Sequence, residues 1–120
     1  MTSPSIDSEK RPGGKEPGSL PASPLFIFIG HDEAKGPERR NKNRAGHLAF
    51  LEKAYAEGQL AYDGPIRDDS DRSIGAMLVF STPDLAAARR LVESDPYFQA
   101  GVYASHELRP FVKVFPRGQI

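Results

Sequence analysis

The sequence predicts an α+β fold in which strands and helices follow the order βαββαβ, and three observations support this prediction. Apolar runs of strand length occupy residues 25–30 and 75–80, and shorter or interrupted runs occur at 60–62 and 102–115. Two longer segments, 38–57 and 81–95, show the three-to-four-residue apolar spacing of helices. The length of 120 residues suits a single folded core.

The first half of the predicted domain is a buried strand followed by a long helix. The run Leu-Phe-Ile-Phe-Ile-Gly at residues 25–30 is continuously apolar, which is typical of a central strand. The helix is predicted over residues 38–57, because Pro37 suits a first turn and Gly58 suits a helix end. The inner face of this helix is predicted to begin at His47 and to continue through Leu48, Leu51 and Tyr55.

The second half again alternates strands with a helix. A strand at residues 60–62 is predicted to end at Asp63-Gly64-Pro65, and an exposed acidic loop at 67–72 connects it to the strand at 75–80. The second helix is expected to begin within residues 81–84, where a hydroxyl cap candidate, a proline and an acidic residue coincide. It is expected to end at Asp95-Pro96, before a short turn or helical fragment. Pro110 either interrupts the final strand or lies on a sheet edge.

This order is the split βαβ arrangement of the ferredoxin-like fold, with two helices on one face of an antiparallel sheet. The opposite face needs a cover wherever it is apolar, and a second copy of the chain is the predicted cover. Residues 1–23 are rich in Ser, Pro, Gly and charged side chains, so they are expected to form a flexible extension. The folded domain is predicted over residues 24–116, followed by a tail at 117–120.

Composition excludes several classes of protein and site. Cysteine is absent, which rules out disulfides and cysteine-type zinc sites and is consistent with a reducing, cytoplasmic location. The net charge is zero, whereas a nucleic-acid partner requires a concentrated positive field. No apolar run reaches the roughly 18 residues of a membrane span, and no signal peptide is expected. His31, His47 and His106 lack the close spacing of metal ligands, so neither a metal site nor a cofactor is expected.

Several short motifs resemble those of one known family, the YciI-like (YCII-related) proteins. The resemblance covers residues 25–115 and rests on six motifs in the same order and at similar spacing: Arg44-x-x-His47-Leu48, Gly58, Gly64-Pro65, Asp95-Pro96-Tyr97, Ala100-Gly101-Val102 and Pro110-Phe111. Asp63-Gly64-Pro65 is also similar to a motif of a sister group. The N-terminal extension and the acidic loop at 67–72 differ from many relatives.

The resemblance implies a ferredoxin-like protomer that pairs into a dimeric α+β barrel, with a pocket between helices and sheet. The family is described with a histidine–aspartate dyad, and the matching positions in this chain are His47 and Asp95. Where a member has an assigned reaction, it is the dehydrohalogenation of a chlorinated hydroxyquinol. The resemblance therefore implies a lyase-type, dehydrochlorinase-like enzyme.

A histidine–carboxylate pair has a defined chemical use. The carboxylate fixes the tautomer of the imidazole and raises its basicity, so that the second ring nitrogen can remove a proton from a phenol or from carbon beside a carbonyl. Both helices of a split βαβ fold lie on one face of the sheet, so contact between His47 and Asp95 is feasible. In the alternative interpretation, His47 only packs in the helix and Asp95 only shapes the turn before Tyr97.

Three further residues are candidate substrate contacts. Arg44 lies one turn before His47 and could hold an anionic group, or it is a solvated arginine. Tyr97 could donate a hydrogen bond to a substrate oxygen, or it fills the core or a subunit interface. Asp63 faces the pocket or shapes a turn.

Two main functions follow from these candidates. The first is a small enzyme with His47 as general base, acting on a small phenolic or dicarbonyl compound. The second is a non-catalytic module that binds a small ligand or dimerises through the same pocket. A third hypothesis is an oxygen-dependent monooxygenase of the related barrel families. The expected partners are a second copy of the chain and a small molecule, with neither nucleic acid nor membrane.

Overall fold

The computed structural model describes residues 24–118, and the predicted flexible extension at 1–23 lies outside this range. The elements are β1 (Leu25–Asp32), α1 (Gly36–Ala56), β2 (Leu60–Arg67), β3 (Ser73–Ser81), α2 (Leu85–Ser94), α3 (Pro96–Gln99) and β4 (Tyr103–Phe111). Pro24–Val112 form one compact unit. The described residues 113–118 belong to a second unit, in which the Lys113 ammonium donates to the Gly118 carbonyl at 2.8 Å. The predicted domain end at residue 116 stays a prediction.

The four strands form one antiparallel sheet in the order β2-β3-β1-β4, which confirms the predicted ferredoxin-like βαββαβ topology. The central strands are the two most apolar runs of the sequence, β1 and β3. The structure adds the one-turn helix α3, which corresponds to the short fragment expected after Asp95. No helix among residues 24–118 is both long and apolar enough to cross a membrane.

The core lies between the sheet and the helices. Alternate residues of β1 and β3 face the helix layer, and Phe28 and Phe80 are almost completely buried there. Burying each of these rings contributes about 1.5–3 kcal/mol to stability. Helix α2 adds Ala88 and Val92, which lie one turn apart on the same side of the helix. Its N-cap is Asp84, whose carboxylate accepts from the Ala87 amide at 2.8 Å, so the predicted hydroxyl cap is wrong.

Helix α1 ends near Gly58 as predicted, and Gly58 has the left-handed φ of 74° that glycine accepts without strain. Its predicted inner face is partly wrong. His47 is buried and Leu51 packs against the core, but Leu48 and Tyr55 are 43% and 70% exposed. A helix turns about 100° per residue, so both lie roughly a quarter turn from the stripe that continues from His47 to Ala54.

Strand β2 extends further than the sequence predicts. Asp63-Gly64-Pro65 continues the strand opposite residues 76–78 of β3, so the predicted turn at these residues is wrong. A proline is tolerated there because β2 is an edge strand. The bulge between Leu60 and Tyr62 places Asp63 opposite Leu78, on the face that carries the helices. Strand β4 is the other edge of the sheet and contains Pro110. Of the two predicted alternatives, an interrupted strand or an edge position for Pro110, the structure has the edge position.

Candidate functional site

His47 lies in the middle of α1, on the stripe that faces the sheet. It is only 7% exposed, which is unusual for a histidine on a helix whose first half is strongly charged. Its ring stacks on the Tyr97 ring, with centroids 3.7 Å apart and planes 5° from parallel. This stacking leaves the imidazole little freedom to rotate, so the directions of its two nitrogens are defined.

Asp95 joins α2 to α3 and is 3% exposed. One carboxylate oxygen, Oδ1, contacts His47 Nδ1 at 2.7 Å and also accepts from the Tyr97 amide at 3.0 Å. The second contact caps α3, whose first residue Pro96 has no N–H and so needs no acceptor. The sequence left open whether Asp95 contacts His47 or only shapes the turn before Tyr97, and in the structure it does both.

The contact between His47 and Asp95 has a consequence for the imidazole. A carboxylate at Nδ1 favours the tautomer with hydrogen on Nδ1, and it leaves the lone pair on Nε2. Among residues 24–118, none donates to or accepts from Nε2. The pair therefore has the arrangement that a general base requires, with one nitrogen oriented and the other available.

An ion pair that the sequence did not predict lies beside this stack. Arg40 donates from Nε and Nη2 to the two oxygens of Asp32 at 3.0 and 2.9 Å, and Nη2 also lies 3.2 Å from the Gly75 carbonyl. The two side chains are 15% and 7% exposed. Burial pulls the pKa of Arg40 down, but the hydrogen bonds and the charge of Asp32 outweigh burial and raise it above its usual range. The guanidinium lies 5.2 Å from the Tyr97 centroid, so it borders the dyad.

Tyr103, the first residue of β4, is a second site residue that the sequence did not predict. Its ring lies 5.8 Å from the Arg40 guanidinium and 5.3 Å from the Phe28 ring. Its hydroxyl is buried. Burial raises the pKa of Tyr103 well above its usual range, and the charge of Asp95 adds to this effect.

The residues described so far form one cluster on the helix-facing side of the sheet: Asp32, Arg40, His47, Asp95, Tyr97 and Tyr103. Asp63 is exposed on the same side of β2, at the rim of this cluster. Although Asp63 reaches solvent, its neighbours remove part of the water around its carboxyl group, and this partial desolvation raises the pKa of Asp63. The charge of Asp95 adds to the increase, and His47 and Arg40 oppose it. Because three ionisable groups of the site influence its pKa, the predicted Asp63 shares the environment of the dyad.

Replacing Asp63 by Asn is expected to stabilise the protein at neutral pH and not in acid. A raised carboxyl pKa means that the folded state holds the proton more tightly than the unfolded chain. The stability from this group is therefore complete below its ordinary value of 3.8 and is lost as the pH rises through the folded-state value. Melting temperatures of wild type and Asp63→Asn, compared at about pH 3.5 and pH 7, measure the difference. Asp69→Asn, on the exposed hairpin loop, serves as control. An equal effect of Asp63→Asn at both values would contradict the prediction.

Arg44 is the one predicted site residue that the structure does not bring to the cluster. It is exposed on α1 and forms no hydrogen bond or ion pair with residues 24–118. Arg40, one turn earlier, occupies the position beside the dyad. Residues 40 and 47 are seven apart, about two helical turns, so they share a stripe. This spacing is the signal that could have identified Arg40 from the sequence.

Two surface cavities lie next to the cluster, and neither is lined by His47 or Asp95. The larger, of about 350 Å³, lies between α1 and α2 and reaches Gly46 and Pro96, the chain neighbours of the dyad. The second, of about 260 Å³, lies near Asp32 and the hairpin loop. His47 and Asp95 are only 7% and 3% exposed, so the dyad is largely shielded from solvent, and Asp63 is the most exposed residue beside it.

The described residues contain no cluster of three or more histidine and carboxylate side chains that could hold a metal ion. Phe28 and Gly30 face the helices, and neighbouring residues of a strand point to opposite faces of the sheet. His31 therefore points to the face opposite the helices. His106 lies on β4 and stacks against the Phe28 ring at a centroid distance of 5.6 Å. The three histidines therefore do not share one site.

Comparisons with known proteins agree on one family. The model of the YCII-related domain matches residues 24–112. Protein YciI of Escherichia coli is 34% identical over 97 residues, which cover 76% of this chain and 99% of YciI. An uncharacterized protein of Haemophilus influenzae is 34% identical over 96 residues, which cover 75% of this chain and 98% of that protein.

A solved structure with a known reaction is also similar. It is the 5-chloro-2-hydroxyhydroquinone dehydrochlorinase TftG from Burkholderia phenoliruptrix, in complex with 2,5-dihydroxybenzoquinone. The TM-score is 0.64 at 28% identity, and the match covers 73% of this chain and 93% of TftG. Family model, relatives and fold agree with the resemblance seen in the motifs. The chain belongs to the YCII-related domain family.

Proposed function

We propose that this protein is a small-molecule enzyme in which His47 is the general base and Asp95 is its orienting partner. The substrate is a small phenolic or dicarbonyl compound. The observation that supports this proposal best is the 2.7 Å contact between His47 Nδ1 and Asp95 Oδ1 in a buried position. Buried histidine–carboxylate pairs in clusters with other ionisable groups are typical of acid–base sites.

The chemistry expected of this pair is a single proton transfer. Nε2 of His47 accepts a proton from the substrate, and the imidazolium that forms is stabilised by the negative charge of Asp95. Substrates with a phenolic hydroxyl, or with hydrogen on carbon beside a carbonyl, lose that proton most readily because the remaining charge is delocalised onto oxygen. The reaction of TftG, which removes hydrogen chloride from a chlorinated hydroxyhydroquinone, is of this kind and supports the substrate class.

The remaining candidates have proposed roles around the pair. Tyr97 holds the imidazole by stacking, so its ring is more important to the site than its hydroxyl. Asp63 contacts the substrate at the rim or limits the charge of ligands that enter. Arg44 would attract an anionic ligand from solvent, since it lies outside the cluster.

The alternative is a non-catalytic module that binds a small ligand. The burial of the dyad favours it, because His47 and Asp95 are almost inaccessible to solvent and Asp95 has a structural role as the cap of α3. A binding module would keep its ligand affinity when His47 is replaced by a residue of similar size. An acid–base enzyme would lose its rate.

The test measures chloride release from 5-chloro-2-hydroxyhydroquinone under nitrogen, in wild type and His47→Gln. We expect turnover by wild type and a loss of about 10²- to 10⁴-fold in the variant, which is the usual contribution of a general base. His31→Gln is the matched control, because His31 lies on the opposite face of the sheet. Turnover without oxygen also excludes the monooxygenase hypothesis. Equal rates in wild type and His47→Gln would contradict the role of His47, and ligand binding without turnover would favour the alternative.

We also propose that the protein is cytoplasmic and forms a homodimer through the sheet face opposite the helices. Ile27, Ile29 and Met77 lie on this face and are only partly covered, and Tyr62 beside them is exposed. Light scattering would then report twice the protomer mass. A monomeric mass at micromolar concentration would contradict the homodimer.

A further inference from the structure

The hydroxyl of Tyr103 is the one buried side-chain oxygen or nitrogen among residues 24–118 that has no hydrogen-bond partner there. Buried polar groups in folded proteins are almost always paired, because an unpaired group has lost its water without gaining another bond. An exception beside a cluster of charged groups therefore needs an explanation. A bound ligand with an oxygen acceptor at this point would supply the missing partner.

The direction of this hydroxyl is determined by packing around the ring. Gly30 lies directly beneath it, since a Cβ at position 30 would come within 2.7 Å of the Tyr103 Cδ1. The Phe28 ring meets it edge to face at 64°, and the Arg40 guanidinium covers it at 5.8 Å. With these three contacts the phenol cannot swing away to find a partner elsewhere.

The same contacts place the hydroxyl in the cluster that contains the dyad. The Arg40 guanidinium lies within 6 Å of the rings of both Tyr103 and Tyr97, and Tyr97 stacks on His47. The charges of Asp95, Arg40, Asp32 and Asp63 all influence the hydroxyl. Tyr103 is therefore linked to the base through Arg40 and Tyr97, and it comes from β4, the strand on the opposite side of β1 from β2 and β3.

We propose that the Tyr103 hydroxyl donates a hydrogen bond to the substrate oxygen that becomes negatively charged when His47 removes a proton. This inference rests on the proposed function and assigns the group that stabilises the product of its first step. The substrate C–H or O–H bond breaks, its electron pair moves onto the conjugated oxygen, and the proton goes to Nε2 of His47. Tyr103 keeps its own proton throughout, so the step needs no further reactant.

This role defines the ligand class more narrowly. The ligand must carry an oxygen acceptor conjugated to the acidic position, as in a hydroxyquinone or a 1,3-dicarbonyl compound. Burial raises the pKa of Tyr103, so the phenol stays protonated and remains a donor at the pH at which a histidine acts as a base. Donors placed where charge develops are among the strongest contributions to catalysis.

The experiment measures binding of 2,5-dihydroxybenzoquinone by calorimetry, because its ionised oxygens resemble the charged product of proton removal. We expect Tyr103→Phe to raise the dissociation constant about 10- to 100-fold, the range for a hydrogen bond to a charged group. The melting temperature should stay the same or increase, since the hydroxyl has no partner in residues 24–118 to lose. Tyr55→Phe, on the outer side of α1, is the matched control and should change neither quantity.

The other possible results separate the assignment of Tyr103 from the acid–base function proposed for His47. A dissociation constant within about twofold of wild type, no binding by wild type, or a clearly lower melting temperature in Tyr103→Phe would overturn the assignment of Tyr103. Chloride release by wild type with unchanged binding in Tyr103→Phe would leave the acid–base function standing. Weaker binding in Tyr103→Phe without any turnover by wild type would contradict that function and keep Tyr103 as a ligand donor.

Discussion

Asp95→Asn is expected to lower the rate of the proposed reaction by about 10²- to 10⁴-fold while the protein stays folded. The amide still offers one oxygen to the Tyr97 amide, and asparagine caps helices as well as aspartate does. It has no negative charge, however, so the imidazolium form of His47 loses its stabilisation. A single oxygen, Oδ1, contacts both His47 Nδ1 and the Tyr97 amide, so an asparagine flipped to place its nitrogen at Nδ1 would lose the cap and favour the wrong tautomer.

Two measurements separate this effect from a loss of structure. Urea unfolding is expected to show a loss of about 1–3 kcal/mol in Asp95→Asn, the range for a hydrogen bond to a charged group. Nitrogen-15 spectra of the His47 ring should show hydrogen on Nδ1 in wild type and a changed pattern in the variant. Asp84→Asn is the matched control, because Asp84 is also an N-cap but has no histidine at its carboxylate. A rate within about threefold of wild type in a folded Asp95→Asn would contradict the role of Asp95.

The largest effect on stability is expected from Arg40→Met, with a loss of about 3–5 kcal/mol in the free energy of unfolding. Removing the guanidinium leaves the Asp32 carboxylate buried without its counter-ion and without its two hydrogen bonds. The bond from Arg40 to the Gly75 carbonyl is lost as well, and with it a link from α1 to β3. Such a loss is a large fraction of the 5–15 kcal/mol that is typical of folded domains.

The matched control for Arg40→Met is Lys42→Met. Lys42 lies on the same helix and pairs with Glu38 at 3.7 Å, but both side chains are well exposed, so its loss should hardly change stability. The double variant Asp32→Asn/Arg40→Met should be more stable than Arg40→Met alone, because no unpaired charge remains buried. Urea midpoints of the four proteins test both statements. A loss below about 1 kcal/mol in Arg40→Met would show that Asp32 keeps water around its carboxylate.

Much of the fold was predictable because it depends on local patterns. The order βαββαβ follows from apolar runs of strand length that alternate with segments of helical spacing. Gly58 ends α1, and the pair Asp95-Pro96 separates α2 from α3, because these residues limit the backbone wherever they occur. Strand β2 was predicted too short, since an edge strand accepts a proline that a central strand would exclude.

The rotation of α1 about its axis was not predictable in the same way. Leu48 and Tyr55 are apolar or aromatic, yet the sheet accommodates the neighbouring stripe of His47 and Ala54. The same rotation places Arg40 inside and leaves Arg44 exposed, although both belong to one charged segment of the sequence. A helical pattern with several charged residues and several apolar ones is compatible with more than one buried face. Contact with Asp32 and Gly75 selects among these faces.

Some residues of the candidate site could be predicted from the sequence, and others could not. The sequence by itself determined the order of strands and helices, and its motifs made His47, Asp95 and Tyr97 candidates because they resemble those of the YCII-related family. Only the tertiary structure brought Arg40, Asp32 and Tyr103 to the same place, since they come from α1, β1 and β4 and are adjacent only when the sheet has formed. The burial of the Tyr103 hydroxyl likewise depends on its neighbours in space and has no counterpart along the chain.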